Sequence, residues 1–101
     1  MTNKNTMNAT FISIRKELFE LINMIEIKID VSYIIEEIEE ISYEIKKIGN
    51  EGERIAEDMM RLYTSLFNKY KNKLAAFLST KEANQIIEKI QKWVVLLPNL
   101  F

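Results

Sequence analysis

The feature that most constrains the fold of this chain is the recurrence of apolar residues at spacings of three and four. A first series consists of Phe11, Ile14, Leu18, Leu21, Ile22 and Ile25. A second series, mostly isoleucine, begins at Val31 and ends at Ile48. This spacing places apolar side chains along one side of an α-helix. The two series are out of phase, because continuing the first would bury Lys28 and Ser32.

The stretch MIEIKIDV, at positions 24–31, therefore contains a break. Asp30 and Ser32 are residue types that cap helices, so we expect one helix to end and another to begin near 26–32. The strict alternation of apolar and charged residues there is also typical of a β-strand. No second strand is evident in the chain, so such a strand could pair only in a dimer.

Local signals suggest where each helix begins and ends. Thr10 is a candidate N-cap for the first helix, Gly49 a stop after the second, and Asn50 with Glu53 a capping box for the third. The third helix carries a second apolar stripe, interpreted as core. That stripe consists of Met60, Tyr63, Phe67, Tyr70, Leu74 and Phe77.

The fourth helix has the most specific signal, a Ser79-x-x-Glu82 capping box, and Pro98 ends it. Its predicted core side carries Ala83, Ile86, Ile87, Ile90, Trp93, Val94 and Leu97. The predicted helices span residues 10–25, 31–48, 52–77 and 80–97. With 101 residues and short connections, the chain is predicted to be a single all-α domain, an antiparallel four-helix bundle.

Composition excludes several classes of function. There is no cysteine and no histidine, so disulfides, thiolate zinc sites and the commonest general base are absent. Neither a nucleophile–base pair nor a phosphate-binding loop can be assembled, and we expect no enzymatic activity and no cofactor.

The net charge of −1 gives no overall reason to expect a nucleic-acid partner. No apolar run is long enough to span a membrane, and charges at 15–17 interrupt the N-terminal apolar part, so a cytoplasmic protein is expected.

Acidic residues concentrate on the second helix. The cluster consists of Glu36, Glu37, Glu39, Glu40 and Glu44. Metal sites in helical bundles use carboxylates that point inward, usually with histidine. These glutamates alternate with the isoleucines that form the core, so they are interpreted as a solvated outer face.

The C-terminal part is basic and ends in apolar residues. Residues 61–101 hold seven Lys or Arg against two Glu, and the chain closes with WVVLLPNLF. The tail either folds over a groove between helices or forms a patch that docks a partner. The candidate partner-binding residues are Lys69, Lys73, Lys89, Lys92, Trp93, Leu96, Leu97, Leu100 and Phe101.

Four segments together resemble a known family. They are IRKELFELI, YIIEEIEEISYEIKKI, IAEDMMRLYTSLFNKYKNKL and STKEANQIIEKIQKW. In length and order they resemble the four helices of the immunity proteins for pediocin-like (class IIa) bacteriocins, the enterocin A immunity group, across about residues 10–97.

The resemblance implies a non-enzymatic cytoplasmic bundle that protects a bacterium from a bacteriocin. The bacteriocins of this group target the membrane subunits of the mannose phosphotransferase system, and the immunity protein acts on that receptor complex from inside. In this family the C-terminal half sets which bacteriocin is resisted, and here it corresponds to residues 69–101. The resemblance leaves the oligomeric state and peripheral contact with the membrane open.

Two other classes remain. A ribbon-helix-helix DNA-binding regulator would use Ile25–Val31 as an intermolecular strand, although Glu26 and Asp30 would then face phosphates. A structural or viral helical assembly protein would also suit isoleucine stripes and an apolar tail.

Overall fold

A computed structural model describes the backbone of residues 4–97 and the side chains from Phe11 onward. It contains four helices: α1 (Lys4–Glu26), α2 (Val31–Ile45), α3 (Gly49–Tyr70) and α4 (Thr80–Leu96). Neighbouring helices run antiparallel, and contacts join α1 to α2, α2 to α3, α3 to α4 and α4 to α1. The predicted all-α four-helix bundle is confirmed.

The break between the two apolar series is a turn. α1 ends at Glu26, Lys28 takes a positive φ of 59°, and α2 begins at Val31. Asp30 caps α2, because its carboxylate accepts hydrogen bonds from the backbone N–H of Ser32 at 2.9 Å and from its hydroxyl at 2.8 Å. Within residues 4–97 no strand forms, so the strand interpretation of Ile25–Val31 is wrong for this chain.

The core consists of the predicted stripes. Among its most completely buried side chains are Phe11, Ile14, Leu18, Leu21, Ile34, Ile38, Ile41, Ile45, Ile55, Met59 and Ile90. Isoleucine dominates α2, and these side chains fill the space between α1 and α3. The four stripes meet in a single apolar cluster, as the spacing of the apolar residues predicts.

Three helix ends differ from the predictions. α1 already includes Thr10, so Thr10 is not a cap; nothing between it and Lys4 is Gly or Pro, the residues that would end a helix there. α2 ends at Ile45 instead of residue 48. α3 begins at Gly49, after an N-cap residue with no side-chain cap bond, so the expected Asn50–Glu53 capping box does not form.

Two glycines make the tight connection between α2 and α3 possible. Gly49 has a φ of +89°, a conformation that favours glycine and turns the chain. Gly52 lies where α3 crosses the end of α2, and a Cβ there would collide with the carbonyl oxygen of Ile45. The two helices therefore approach closely only because position 52 has no side chain.

The largest departure is the end of α3, at Tyr70 instead of residue 77. A separate connecting segment, residues 71–79, follows it. The carbonyl of Ala76 accepts the N–H of Val31 at 2.9 Å, and Ala75 takes a φ of 50°. The segment therefore contacts the start of α2 before Ser79, in an extended conformation, caps α4.

Candidate functional site

The outer face of α4 carries three of the predicted partner-binding residues. Lys89, Lys92 and Leu96 are exposed, and their spacing of three and four places them along one stripe. Leu96 is 51% exposed. Beside this stripe lies a shallow depression of about 620 Å³, lined by Glu88, Gln91, Lys92, Val95 and Leu96. We refer to Lys89, Lys92 and Leu96 as the α4 stripe.

Two other predicted residues of this helix face inward. Trp93 is 2% exposed and Leu97 is 3% exposed, and both belong to the core. In this conformation they hold α4 in the bundle and present almost no surface to a partner. The predicted residues Leu100 and Phe101 lie outside the described part of the chain.

Lys69 and Lys73 lie at the opposite end of α4, in a cluster around Glu82. Lys69 donates a hydrogen bond from Nζ to Oε2 of Glu82 at 2.7 Å, and the Tyr70 hydroxyl donates to Oε1 at 2.8 Å. The ammonium groups of Lys69 and Lys73 lie 5.4 and 5.3 Å from the centre of the Tyr70 ring. The cluster joins the end of α3 to the start of α4.

The predicted capping box is part of the same cluster and is confirmed. The N–H of Glu82 donates to Oγ of Ser79 at 3.2 Å, and the N–H of Ser79 donates to Oε1 of Glu82 at 3.3 Å. The hydrogen bond from Lys69 is the main reason that the pKa of Glu82 falls to about 2, and the bonds from Tyr70 and Ser79 add to it. Lys69 is therefore neutralised by a carboxylate and is weakly available to a partner.

The predicted set thus separates into two groups. From Glu82 to Leu96 the helix rises by about 21 Å, at 1.5 Å per residue. The Lys69–Lys73 pair near the start of α4 and the α4 stripe near its end cannot contact the same small epitope. The basic C-terminal half presents two surfaces where the sequence suggested one.

The aromatic stripe of α3 is only partly core, which corrects the interpretation from spacing. Tyr70 is 8% exposed, whereas Phe67 is 44%, Phe77 56% and Leu74 98% exposed. The rings of Tyr63 and Phe67 stack with centroids 5.9 Å apart at the edge of a cleft of about 280 Å³ between α2 and α3. Leu74 and Phe77 are exposed because α3 ends before them, which helical spacing alone could not reveal.

The acidic side of α2 is mainly solvated, as expected, with Glu36, Glu40 and Glu44 exposed. Glu17 of α1 is the exception, because its Oε2 atom is buried without a hydrogen-bond partner. Burial, together with the neighbouring carboxyl of Glu44, raises the pKa of Glu17 to about 7. Burial also raises the pKa of Glu37. Within the described residues, no group of three or more acidic side chains is arranged to hold a metal ion.

Helices α1–α4, as far as they are described, include none that is both long and apolar enough to cross a bilayer. Comparison with protein-family models, with curated proteins and with solved structures gave no match for this chain.

Proposed function

We propose that this chain is a non-enzymatic bacteriocin immunity protein that protects a cell from a pediocin-like bacteriocin. In this proposal the protein is cytoplasmic and recognises, from the inner side, the membrane subunits of a mannose phosphotransferase system engaged by the bacteriocin. The four-helix bundle supports it, since the family that the sequence resembles is expected to have that fold. The α4 stripe supplies the contact surface.

The α4 stripe is the observation that carries the proposal. Trp93 and Leu97 anchor the helix in the core, while Lys89 and Lys92 are exposed and Leu96 is half-exposed. An exposed leucine one turn beyond two cationic side chains suits a protein interface, in which an apolar contact is surrounded by polar ones. The lysines would favour an acidic surface on the receptor complex and speed the encounter.

Protection would follow from binding alone. A rigid helix face held against the receptor complex stabilises whichever state of that complex it fits best. If that state does not leak, the bacteriocin remains bound but harmless. No covalent step is required, and the differences between α4 surfaces in related proteins would set which bacteriocin is resisted.

Expression in a bacteriocin-sensitive strain tests the proposal. Cells producing the chain should survive at least one pediocin-like bacteriocin that kills cells carrying the empty vector. The chain should also copurify with the membrane subunits of the mannose transporter when that bacteriocin is present. Survival no better than the vector control against every pediocin-like bacteriocin would contradict the proposal.

Two single variants, one in the α4 stripe and one on α1, test whether the α4 stripe is the contact surface. Leu96→Ser should reduce copurification at least about tenfold, as expected for an apolar residue near the centre of an interface. Phe19→Ser on α1 removes an equally exposed apolar side chain, 55% against 51%, and should leave protection intact. Loss of protection in both variants, or in neither, would argue against the α4 stripe.

The other two classes are less well supported. The ribbon-helix-helix regulator needs a strand at Ile25–Val31, where the described chain has a helix end and a turn. A salt-dependent gel shift of DNA would revive it. A helical assembly protein would show a large, stable oligomer by light scattering.

A further inference from the structure

The connecting segment between α3 and α4 presents apolar side chains to solvent at one end of the bundle. Leu74 is 98% exposed and Phe77 is 56% exposed, while Ala76 and Leu78 on either side of Phe77 pack against the core. A leucine with almost its whole side chain in water has no neighbours with which to form a pocket. We refer to residues 71–79 as the α3–α4 tip.

The tip has a defined conformation. The N–H of Lys73 donates to the carbonyl of Tyr70 at 3.0 Å, and the N–H of Val31 donates to the carbonyl of Ala76 at 2.9 Å. Ser79 then caps α4. The segment is therefore fixed at its start, middle and end, and its shape holds Leu74 and Phe77 outward.

The sequence of the tip itself carries only positive charge. Residues 69–81 contain four lysines and no acidic residue. Lys69 is paired with Glu82, but Lys71, Lys73 and Lys81 are exposed, and the ion pairs found for the described residues involve none of these three. The apolar side chains of the tip are therefore flanked by three lysines, although Lys71 and Lys73 also border a cleft lined by Asp30, Glu36 and Glu39 of the α2 side.

A second apolar and basic element lies at the same end of the bundle. The turn between α1 and α2 presents Ile27, 61% exposed, followed by the exposed Lys28. Lys28 and Phe77 line the same depression of about 610 Å³. Two acids occur on this turn, of which Asp30 is occupied as the cap of α2 and Glu26 is exposed.

We propose that this end of the bundle docks on an anionic lipid bilayer. Leu74, Phe77 and Ile27 enter the boundary between headgroups and acyl chains, and Lys71, Lys73 and Lys81 contact the phosphates. A projecting point with isolated apolar side chains fits a deformable lipid surface better than the groove of a folded protein. Each lysine held near an anionic leaflet raises affinity by about fivefold, so three lysines and two or three inserted side chains suffice for reversible binding.

Docking through the tip does not depend on the proposed immunity function. The α4 stripe begins about two helical turns beyond Glu82 and runs away from the tip, so it stays uncovered when the tip meets a membrane. The two surfaces can therefore be tested separately.

Cosedimentation of the full chain with lipid vesicles tests the docking. The wild-type protein should bind vesicles of phosphatidylcholine mixed with phosphatidylglycerol, bind vesicles of pure phosphatidylcholine at least about tenfold more weakly, and dissociate as salt is raised. Equal binding to both vesicle types, or binding to neither, would overturn the proposal. Binding to a soluble polyanion such as heparin without binding to the mixed vesicles would overturn it as well.

Matched variants assign the binding to the tip. Leu74→Ser with Phe77→Ser, and separately Lys71→Gln with Lys73→Gln, should each lower vesicle affinity about tenfold or more. As controls, Ile12→Ser with Phe19→Ser removes two exposed apolar side chains of α1, and Lys46→Gln with Lys47→Gln removes two exposed lysines at the other end of the bundle. If the tip variants bind vesicles as tightly as the wild type, or if the control variants lose as much vesicle affinity as the tip variants, the tip is not the binding surface. Thermal unfolding of each variant establishes that it is folded.

Discussion

Two glutamates in different parts of this bundle have opposite environments. Glu17, where α1 meets α2, is partly buried near Glu44, and its pKa is raised to about 7. Glu82, where α3 meets α4, is held by Lys69, Tyr70 and Ser79, and its pKa is lowered to about 2. Ionisation therefore weakens the packing of the first pair of helices and strengthens that of the second.

The difference matters because the two contacts are of unequal extent. α1 and α2 share a broad apolar surface, whereas the contact between α3 and α4 is the smallest in the described bundle. A large apolar contact tolerates a poorly placed carboxylate. A small one needs polar bonds, and the Glu82 cluster supplies them at the start of the helix that carries the proposed partner-binding residues.

The largest effect is expected from Glu82→Ala. It removes the hydrogen bonds from Lys69 and Tyr70 and half of the capping box, so the free energy of unfolding should fall by about 2 kcal/mol at neutral pH. Chemical denaturation measures the change. Glu88→Ala, at an exposed position on the same helix, should change it by less than about 0.5 kcal/mol. Equal effects would mean that the Glu82 cluster does not stabilise the contact between α3 and α4.

Glu17→Gln should stabilise the protein, in contrast to the substitution at Glu82. At pH 8 the wild-type carboxylate is charged in its crowded position and the amide is not, so the gain should be about 1 kcal/mol after allowance for partial exposure. At pH 4 the carboxyl is mostly protonated in the folded and the unfolded chain alike, so the gain should be close to zero. Glu53→Gln, at an exposed position on α3, is the matched control. A destabilised Glu17→Gln at pH 8 would contradict the account.

The wild-type protein should show the same contrast as a function of pH. The pKa of Glu17 is higher in the folded than in the unfolded chain, so its stabilising contribution is present below about pH 4.5 and is lost as the pH rises through about 7. The pKa of Glu82 is lower in the folded chain, so its contribution is present above about pH 4.5 and is lost as the pH falls through about 2. The free energy of unfolding should therefore be greatest near pH 4.5. A profile that rises steadily from pH 5 to pH 8 would be inconsistent with the environment described for Glu17.

The smallest effect is expected from Lys69→Gln. It removes the main cause of the lowered pKa of Glu82 and leaves the bonds from Tyr70 and Ser79, so that pKa should rise part of the way towards its ordinary value. NMR titration of the Glu82 side chain measures it. Stability should fall less than in Glu82→Ala, because Lys69 is exposed. An unchanged pKa would show that the ion pair does not persist in solution.

Much of the fold could be predicted because its causes are local. The spacing of apolar residues predicts the four stripes. The change of phase between the first two apolar series predicts the turn before Asp30. The capping box of Ser79 and Glu82 predicts the start of α4. The end of α3 could not be predicted in this way. Leu74 and Phe77 continue its spacing, and only the contact of Ala76 with Val31, far away in sequence, shows that the chain has already left the helix.

The candidate site was harder to predict than the fold. Trp93 and Leu97 fit both the core stripe of α4 and the apolar tail, and the structure places them in the core. Once Trp93 and Leu97 are placed in the core, helical spacing puts Lys89, Lys92 and Leu96 on the outer face of α4. The pairing of Lys69 with Glu82 depends on how α3 and α4 pack, which the sequence of neither helix contains.

Charge reversal on two matched lysine pairs tests the central claim, that the outer face of α4 recognises the partner, most directly. In a sensitive strain challenged with a bacteriocin that the wild-type chain resists, Lys89→Glu with Lys92→Glu should abolish protection while the protein keeps its helix content and melting temperature. Lys46→Glu with Lys47→Glu, beyond the end of α2, should protect as the wild type does. Full protection by the α4 variant, or equal loss in both, would contradict the account.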